Sequence, residues 1–197
     1  MTNMLNFEQA RAELFSLLKQ KSVFHGEFKL ASGGTSNYYV DCKLTTFDPK
    51  CAWLVGQVVH HVIRQEEAAR QTRIDSIGGL TMGSDPIALA TGMFSVFAKD
   101  PQPFQTFSVR KTQKSHGQGK LIEGSFRPED TVVIIDDVVT RGESTIAAIN
   151  AVTQAGAKIA FIVALVDRQE GGRDRIEQLG YSVLPVFRRD ELLGKQP

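Results

Sequence analysis

Residues 131–145 read T-V-V-I-I-D-D-V-V-T-R-G-E-S-T, an apolar β-branched run, then two adjacent carboxylates, then a turn rich in hydroxyls and glycine. The run 132–135 is short and flanked by polar residues, which predicts a strand buried on both faces of a parallel sheet. Asp136 and Asp137 then fall at its carboxyl end, where open α/β sheets bind ligands. A helix expected over about 143–155 would aim its free N–H groups and positive dipole end at the same place, which favours an anion. Gly142 permits close backbone approach, while Thr140, Ser144 and Thr145 offer hydroxyl donors to phosphate oxygens, and Ser144 or Thr145 is a candidate helix cap. Carboxylates do not bind phosphate, but they accept hydrogen bonds from sugar hydroxyls, so the segment suits a ligand that is both sugar and phosphate.

Other readings fit less well. A paired-Asp strand end also marks the metal site of response-regulator receivers, but there the pair lies early in the domain and here it lies past the middle. A Walker B strand requires a G-x-x-x-x-G-K-[ST] loop, and Gly119-Lys120 is followed by Leu121. A solvated strand end followed by an ordinary cap would explain a bare D-D pair, but not all fifteen residues.

With 197 residues, 42% of them hydrophobic and 23% charged, the chain fits one globular domain spanning 1–197. A net charge of +1 gives no global field for nucleic acid. Cys42 and Cys51 are too few for a disulfide framework and are expected as free thiols in a reducing compartment. No leader-like start and no apolar stretch near the roughly 20 residues that span a bilayer is evident, so no membrane partner and a cytoplasmic location are expected.

Residues 4–19 carry an approximate apolar stripe and predict an amphipathic helix, and 24–41 predict two short strands around a glycine turn. Helix is expected at 49–65, with Pro49 in its first turn, and then strand 74–79, helix 86–96 and strand 104–109. After the opening segment come strand 158–166, short helix 173–179, strand 181–187 and short helix 188–193. This alternation predicts an α/β fold, a mostly parallel sheet with helices on both faces, plus a small N-terminal subdomain within about 1–45.

A second segment, V-R-K-T-Q-K-S-H-G-Q-G-K-L-I-E-G at 109–124, holds Arg110, Lys111, Lys114, His116 and Lys120 with no apolar residue between Lys111 and Lys120. Such a stretch cannot bury itself, and Gly117 and Gly119 give it hinges, so a loop that moves when no ligand is present is expected. Beside a phosphosugar site, its cations suit an anionic leaving group.

The 131–145 segment resembles the phosphoribosyl-pyrophosphate (PRPP) signature of type I phosphoribosyltransferases, and the basic segment resembles the R-K-x-x-K-x-H loop of the orotate-specific members. F-K-L-A-S-G-G-T-S-N-Y-Y-V-D at 28–41 is similar to that family's N-terminal hood over the base, and G-G-L-T-M-G-S-D-P-I-A at 78–88 to its pyrophosphate loop. Together the matches run from about 24 to 172. The resemblance implies transfer of ribose 5-phosphate from PRPP to orotate, giving orotidine 5′-monophosphate and pyrophosphate in pyrimidine nucleotide synthesis. It implies PRPP contacts from Arg110, Lys111, Lys114, His116, Asp136, Asp137, Val138, Val139, Thr140, Arg141, Gly142, Glu143 and Ser144. Asp136 and Asp137 would face the ribose hydroxyls and 140–144 would cradle the 5-phosphate. Lys111, Lys114, His116 and Asp137 would act on the transition state, and Thr140 and Arg168 would contact orotate. From its own surroundings Arg168 could equally pair with Asp167 or Glu170. The resemblance further implies Mg2+ held mainly by substrate and water, and a homodimer in which each loop reaches the neighbouring site. Two positions depart from the family pattern: many members carry Lys at Ala31 and at about Gly83, which throws pyrophosphate binding onto Arg110, Lys111, Lys114 and backbone N–H groups. A purine-base phosphoribosyltransferase would lack the basic loop and any use for an Arg aimed at a carboxylate. A PRPP-sensing regulator would need an added nucleic-acid segment or a basic face.

Overall fold

The computed structural model describes residues 5–29, 34–112 and 120–194. Helix α1, Phe7–Ser22, starts with a reciprocal cap: Asn6 Oδ1 accepts from the Gln9 N–H at 2.9 Å, and Gln9 Oε1 accepts from the Asn6 N–H at 3.2 Å. Its Ala10, Leu14 and Leu18, each one turn apart, are fully buried. Strands β1 (Val23–Lys29) and β2 (Thr35–Val40) pair antiparallel as a separate two-stranded sheet, the two short strands expected from the glycine-interrupted segment. A single-turn helix, α2 (Lys43–Thr46), leads to α3 (Pro49–Arg70), with Pro49 at the first helical position and the Asp48 carboxylate capping the Cys51 N–H at 3.0 Å.

The main sheet is built from β3 (Ser76–Leu80), β4 (Gln105–Val109), β5 (Ile122–Gly124), β6 (Thr131–Val139), β7 (Lys158–Asp167) and β8 (Val183–Arg188). Its order is β5-β4-β3-β6-β7-β8, parallel throughout except for β5, which pairs antiparallel with β4 at one edge. Helices α4 (Ser84–Phe97), α5 (Glu143–Gln154), α6 (Gly172–Gln178) and α7 (Arg189–Leu193) complete the chain. The alternation of β6 explains the two-faced core. Val133 and Ile135 pack with Leu14, Leu54, Val58 and Ile87 from α1, α3 and α4, whereas Val132 and Ile134 pack with Ala148, Ile149, Val152 and Ile176 from α5 and α6. The fold is therefore the α/β arrangement the pattern implied.

Three details differ from the sequence reading. The signature strand continues to Val139, pairing Val138 with Val166 and Val139 with Asp167, so the two carboxylates lie within β6 rather than after it. Strand β5 was not foreseen, because three residues following a basic segment carry no alternation of their own. Neither Ser144 nor Thr145 caps α5; its N-cap is Gly142, at φ 82°, a left-handed conformation that favours glycine. Cys42 and Cys51 are free and buried, as expected.

Candidate active site

Between the carboxyl ends of β3 and β6 lies a cleft of about 500 Å³, lined by Lys43, the 80–83 loop, Lys111, Asp136, Asp137, Glu143 and Ser144. The 78–88, 109–124 and 131–145 segments meet here because β3 and β6 are neighbours in the sheet, and β4, which delivers Lys111, adjoins β3. The 80–83 loop is fixed by its own polar groups: Thr81 N–H donates to Val109 O at 2.8 Å, Thr81 Oγ1 to Asp85 at 2.7 Å, and Ser84 Oγ to Leu80 O at 3.0 Å.

The two adjacent carboxylates have different surroundings. Asp136 is almost fully buried and accepts hydrogen bonds from Ser144 Oγ at 2.9 Å and Thr145 Oγ1 at 2.5 Å. Burial pushes its carboxyl up to about 7; the Thr145 and Ser144 hydroxyls oppose that shift, and the neighbouring Asp137 adds to it. Asp137 is partly exposed in the cleft, its Oδ1 accepting from the Val138 N–H at 3.0 Å. The buried hydroxyl of Thr145 is thus committed to Asp136, and is a support for the acidic pair rather than the phosphate donor the sequence suggested.

The rest of the signature forms the turn into α5. Thr140 O accepts from the Gly172 N–H at 3.0 Å, and a Cβ on Gly172 would come within 2.5 Å of that same oxygen, so the 171–172 turn packs directly on the signature turn. Arg141 O and the Glu143 carboxylate both receive Arg175, at 2.6 and 3.2 Å. Val139 is fully buried, its side chain belongs to the core, and its carbonyl accepts from the Arg168 N–H at 3.0 Å. Val138 packs partly against the core.

Arg168 follows β7 and is buried. Asp167 is occupied by the Gln169 N–H at 2.8 Å, and Arg168 pairs instead with Glu170 at 2.6 Å, lying 4.9 Å from the centre of the Tyr38 ring. Tyr38 in turn donates to Glu170 at 3.1 Å, so the hood strand β2 and the β7 end are joined at this guanidinium. Sequence reasoning named Arg168 and gave Glu170 as one of its two possible partners, but did not single out Tyr38, whose contact with Glu170 spans 132 residues.

Lys111 is exposed and lines the cleft; Arg110 lies behind it, 3.5 Å from Glu123 across the β4–β5 pair. The Arg110 N–H donates to Leu121 O at 2.9 Å, bringing together the two ends of the basic segment. Lys114 and His116, and the departure at Ala31, lie outside the described residues. At the other departure a Cβ on Gly83 would sit 2.2 Å from Asp137 Oδ1, so a side chain there would displace that carboxylate. Lys43 was not singled out from the sequence; a lone cation two residues after Asp41 carries no signal without the fold.

Among the described residues no group of three or more His, Cys, Asp or Glu side chains could hold a metal ion. The cleft's exposed carboxylate oxygens are hard donors, compatible with an ion such as Mg2+ that keeps several waters and is carried largely by a phosphate-bearing substrate.

No family model matches the chain. The orotate phosphoribosyltransferase of Aquifex aeolicus is 39% identical over 186 residues, which cover 93% of this chain and 97% of that protein. A crystal structure of the Mycobacterium tuberculosis orotate phosphoribosyltransferase in complex with Fe(III) dicitrate superposes with a TM-score of 0.77 at 33% identity, covering 93% of this chain and 98% of that one. The same enzyme in complex with PRPP gives a TM-score of 0.71 at 27% identity, covering 93% and 92%.

Proposed function

The chain belongs to the orotate phosphoribosyltransferase family, and from that premise we propose that its cleft transfers ribose 5-phosphate from PRPP to orotate, releasing pyrophosphate and supplying orotidine 5′-monophosphate to pyrimidine synthesis. The observation that carries the reading is the meeting of Asp137, the first turn of α5 and Lys111 around one cleft. The free N–H groups at the start of α5 receive the 5-phosphate, and Asp137, with Asp136 beneath it, accepts from the ribose hydroxyls. The bond between the anomeric carbon and the pyrophosphate oxygen breaks with its electron pair going to pyrophosphate. A ring nitrogen of orotate makes the new bond, and its proton passes to the departing pyrophosphate or to water. Positive charge builds on the sugar and negative charge on the leaving group, so the protein acts by positioning and electrostatics, with no covalent nucleophile.

Asp137 stabilises the sugar side, and Lys111, with Lys114 and His116 of the same segment, stabilises pyrophosphate. Arg168 receives the orotate carboxylate as a planar cationic fork, held against Tyr38; Thr140 lies at the neighbouring turn. Asp137, in the cleft, would orient the waters of a bound Mg2+, which would supply neutralising charge to the pyrophosphate leaving group.

We place residues 1–197 in one catalytic domain with the hood in about 1–45, acting as a homodimer in the cytoplasm. Helix α4 supports the dimer. It exposes Leu89, Met93, Val96 and Phe97, flanked by Trp53 of α3, and such an apolar stripe beginning at the cleft suits a second copy. Free thiols support a reducing compartment, and no helix among the described residues is long and apolar enough to cross a membrane. Consumption of PRPP with orotate, adenine, guanine or hypoxanthine tests the substrate. Orotate alone should be consumed; a preference for a purine would replace this reading by the purine-base one.

A further inference from the structure

We propose that Lys43 binds the pyrophosphate group of PRPP, supplying a cation that the Gly83 wall of the cleft does not. This inference rests on the function proposed above. Lys43 opens α2 immediately after the hood, on a backbone anchored from below: Cys42, Thr45 and Thr46 are buried, and the Thr45 and Ser22 hydroxyls are 2.6 Å apart. Its own side chain emerges exposed into the cleft and, with Lys111, supplies the cations that line it among the described residues. Asp41 holds the ammonium at 2.9 Å while also accepting the Lys43 N–H at 3.1 Å. The hydrogen bond and charge of Asp41, against some desolvation, raise the lysine's pKa, and Asp137 across the cleft adds to this.

An ion pair this exposed contributes little to stability, so the ammonium can exchange Asp41 for a phosphate oxygen at little cost to the fold. Gly83 brings no side chain to its wall of the cleft, and one placed there would displace the Asp137 carboxylate. Lys43 comes from the hood side and Lys111 from the β4 side, so the two approach the same anion from separate elements.

The test compares wild type with Lys43→Gln and Lys43→Arg, measuring KM for PRPP and for orotate, and pyrophosphate affinity in magnesium by calorimetry. Lys43→Gln should raise the PRPP KM and weaken pyrophosphate by about tenfold each, the loss of a charge-assisted hydrogen bond, with the orotate KM unchanged. Lys43→Arg should recover most of both. Pyrophosphate affinity unchanged in Lys43→Gln, or orotate and pyrophosphate weakened alike, would overturn the role of Lys43 while leaving the function intact. A wild-type chain that binds neither PRPP nor pyrophosphate would overturn both.

Discussion

Asp136 and Asp137 share a strand and a side-chain type, yet Asp136 is almost fully buried and Asp137 is partly exposed in the cleft. Unfolded, the Asp136 carboxyl titrates near 3.8; folded, burial holds it near 7. The folded chain keeps a proton that the unfolded chain releases between those values. The stability associated with the neutral carboxyl is therefore complete below about pH 4 and is lost as pH rises through about 7. Asp136→Asn, which copies the neutral form and can still accept from Ser144 and Thr145, should raise Tm relative to wild type more at pH 8 than at pH 5. A Tm difference independent of pH would place the proton elsewhere. Asp137→Asn and Lys111→Ala should each lower turnover roughly a hundredfold or more with Tm preserved, since both line the cleft and their proposed roles are on transition-state charge. Arg168→Ala should raise the orotate KM by about tenfold to a hundredfold and leave the PRPP KM nearly unchanged. An equal rise in both would mean that the Arg168–Glu170–Tyr38 contact serves mainly to hold the hood.

Elements explain what the sequence could and could not disclose. The strand and helix around Asp136 were legible because a β-branched run ending in D-D and a glycine turn dictates its own surroundings, and α1, α3 and α4 followed from stripes and caps. The length of β6 was not legible: Val138 and Val139 continue the strand only because β7 runs alongside to Asp167. Strand β5 and helix α2 are short pieces created by tertiary neighbours, and they bring in the Arg110–Glu123 pair and Lys43 respectively. The same limit hid Thr145, whose hydroxyl reads as a phosphate donor until the fold turns it inward. At the start of α4, Gly83 has ordinary helical angles, φ −64° and ψ −40°, so Ala there strains no backbone and acts only through contact with Asp137. Gly83→Ala should lower kcat/KM for PRPP by roughly a hundredfold through displacement of that carboxylate, with little change in Tm. Wild-type kinetics in this variant would show that the position of Asp137 is not critical.

At the scale of the whole molecule, the β4–β5 pair holds the ends of the basic segment at one edge of the sheet, and α4 lays an apolar stripe beside the cleft. Both features suit a dimer in which each segment completes the other site. Mixing inactive Lys114→Ala chains with inactive Asp137→Asn chains should then restore activity, to at most about half of wild type per heterodimer, because one site collects both intact halves and the other both lesions. Verified subunit exchange without rescue would confine the segment to its own subunit. The central claim is that this cleft joins orotate to the ribose of PRPP with Asp137 facing the sugar. Its most direct measurement follows orotate loss and pyrophosphate release together, in wild type and in Asp137→Asn of unchanged Tm. The account predicts one-to-one conversion by wild type and near-complete loss in the variant. Pyrophosphate release without orotate consumption, or undiminished conversion by Asp137→Asn, would contradict it.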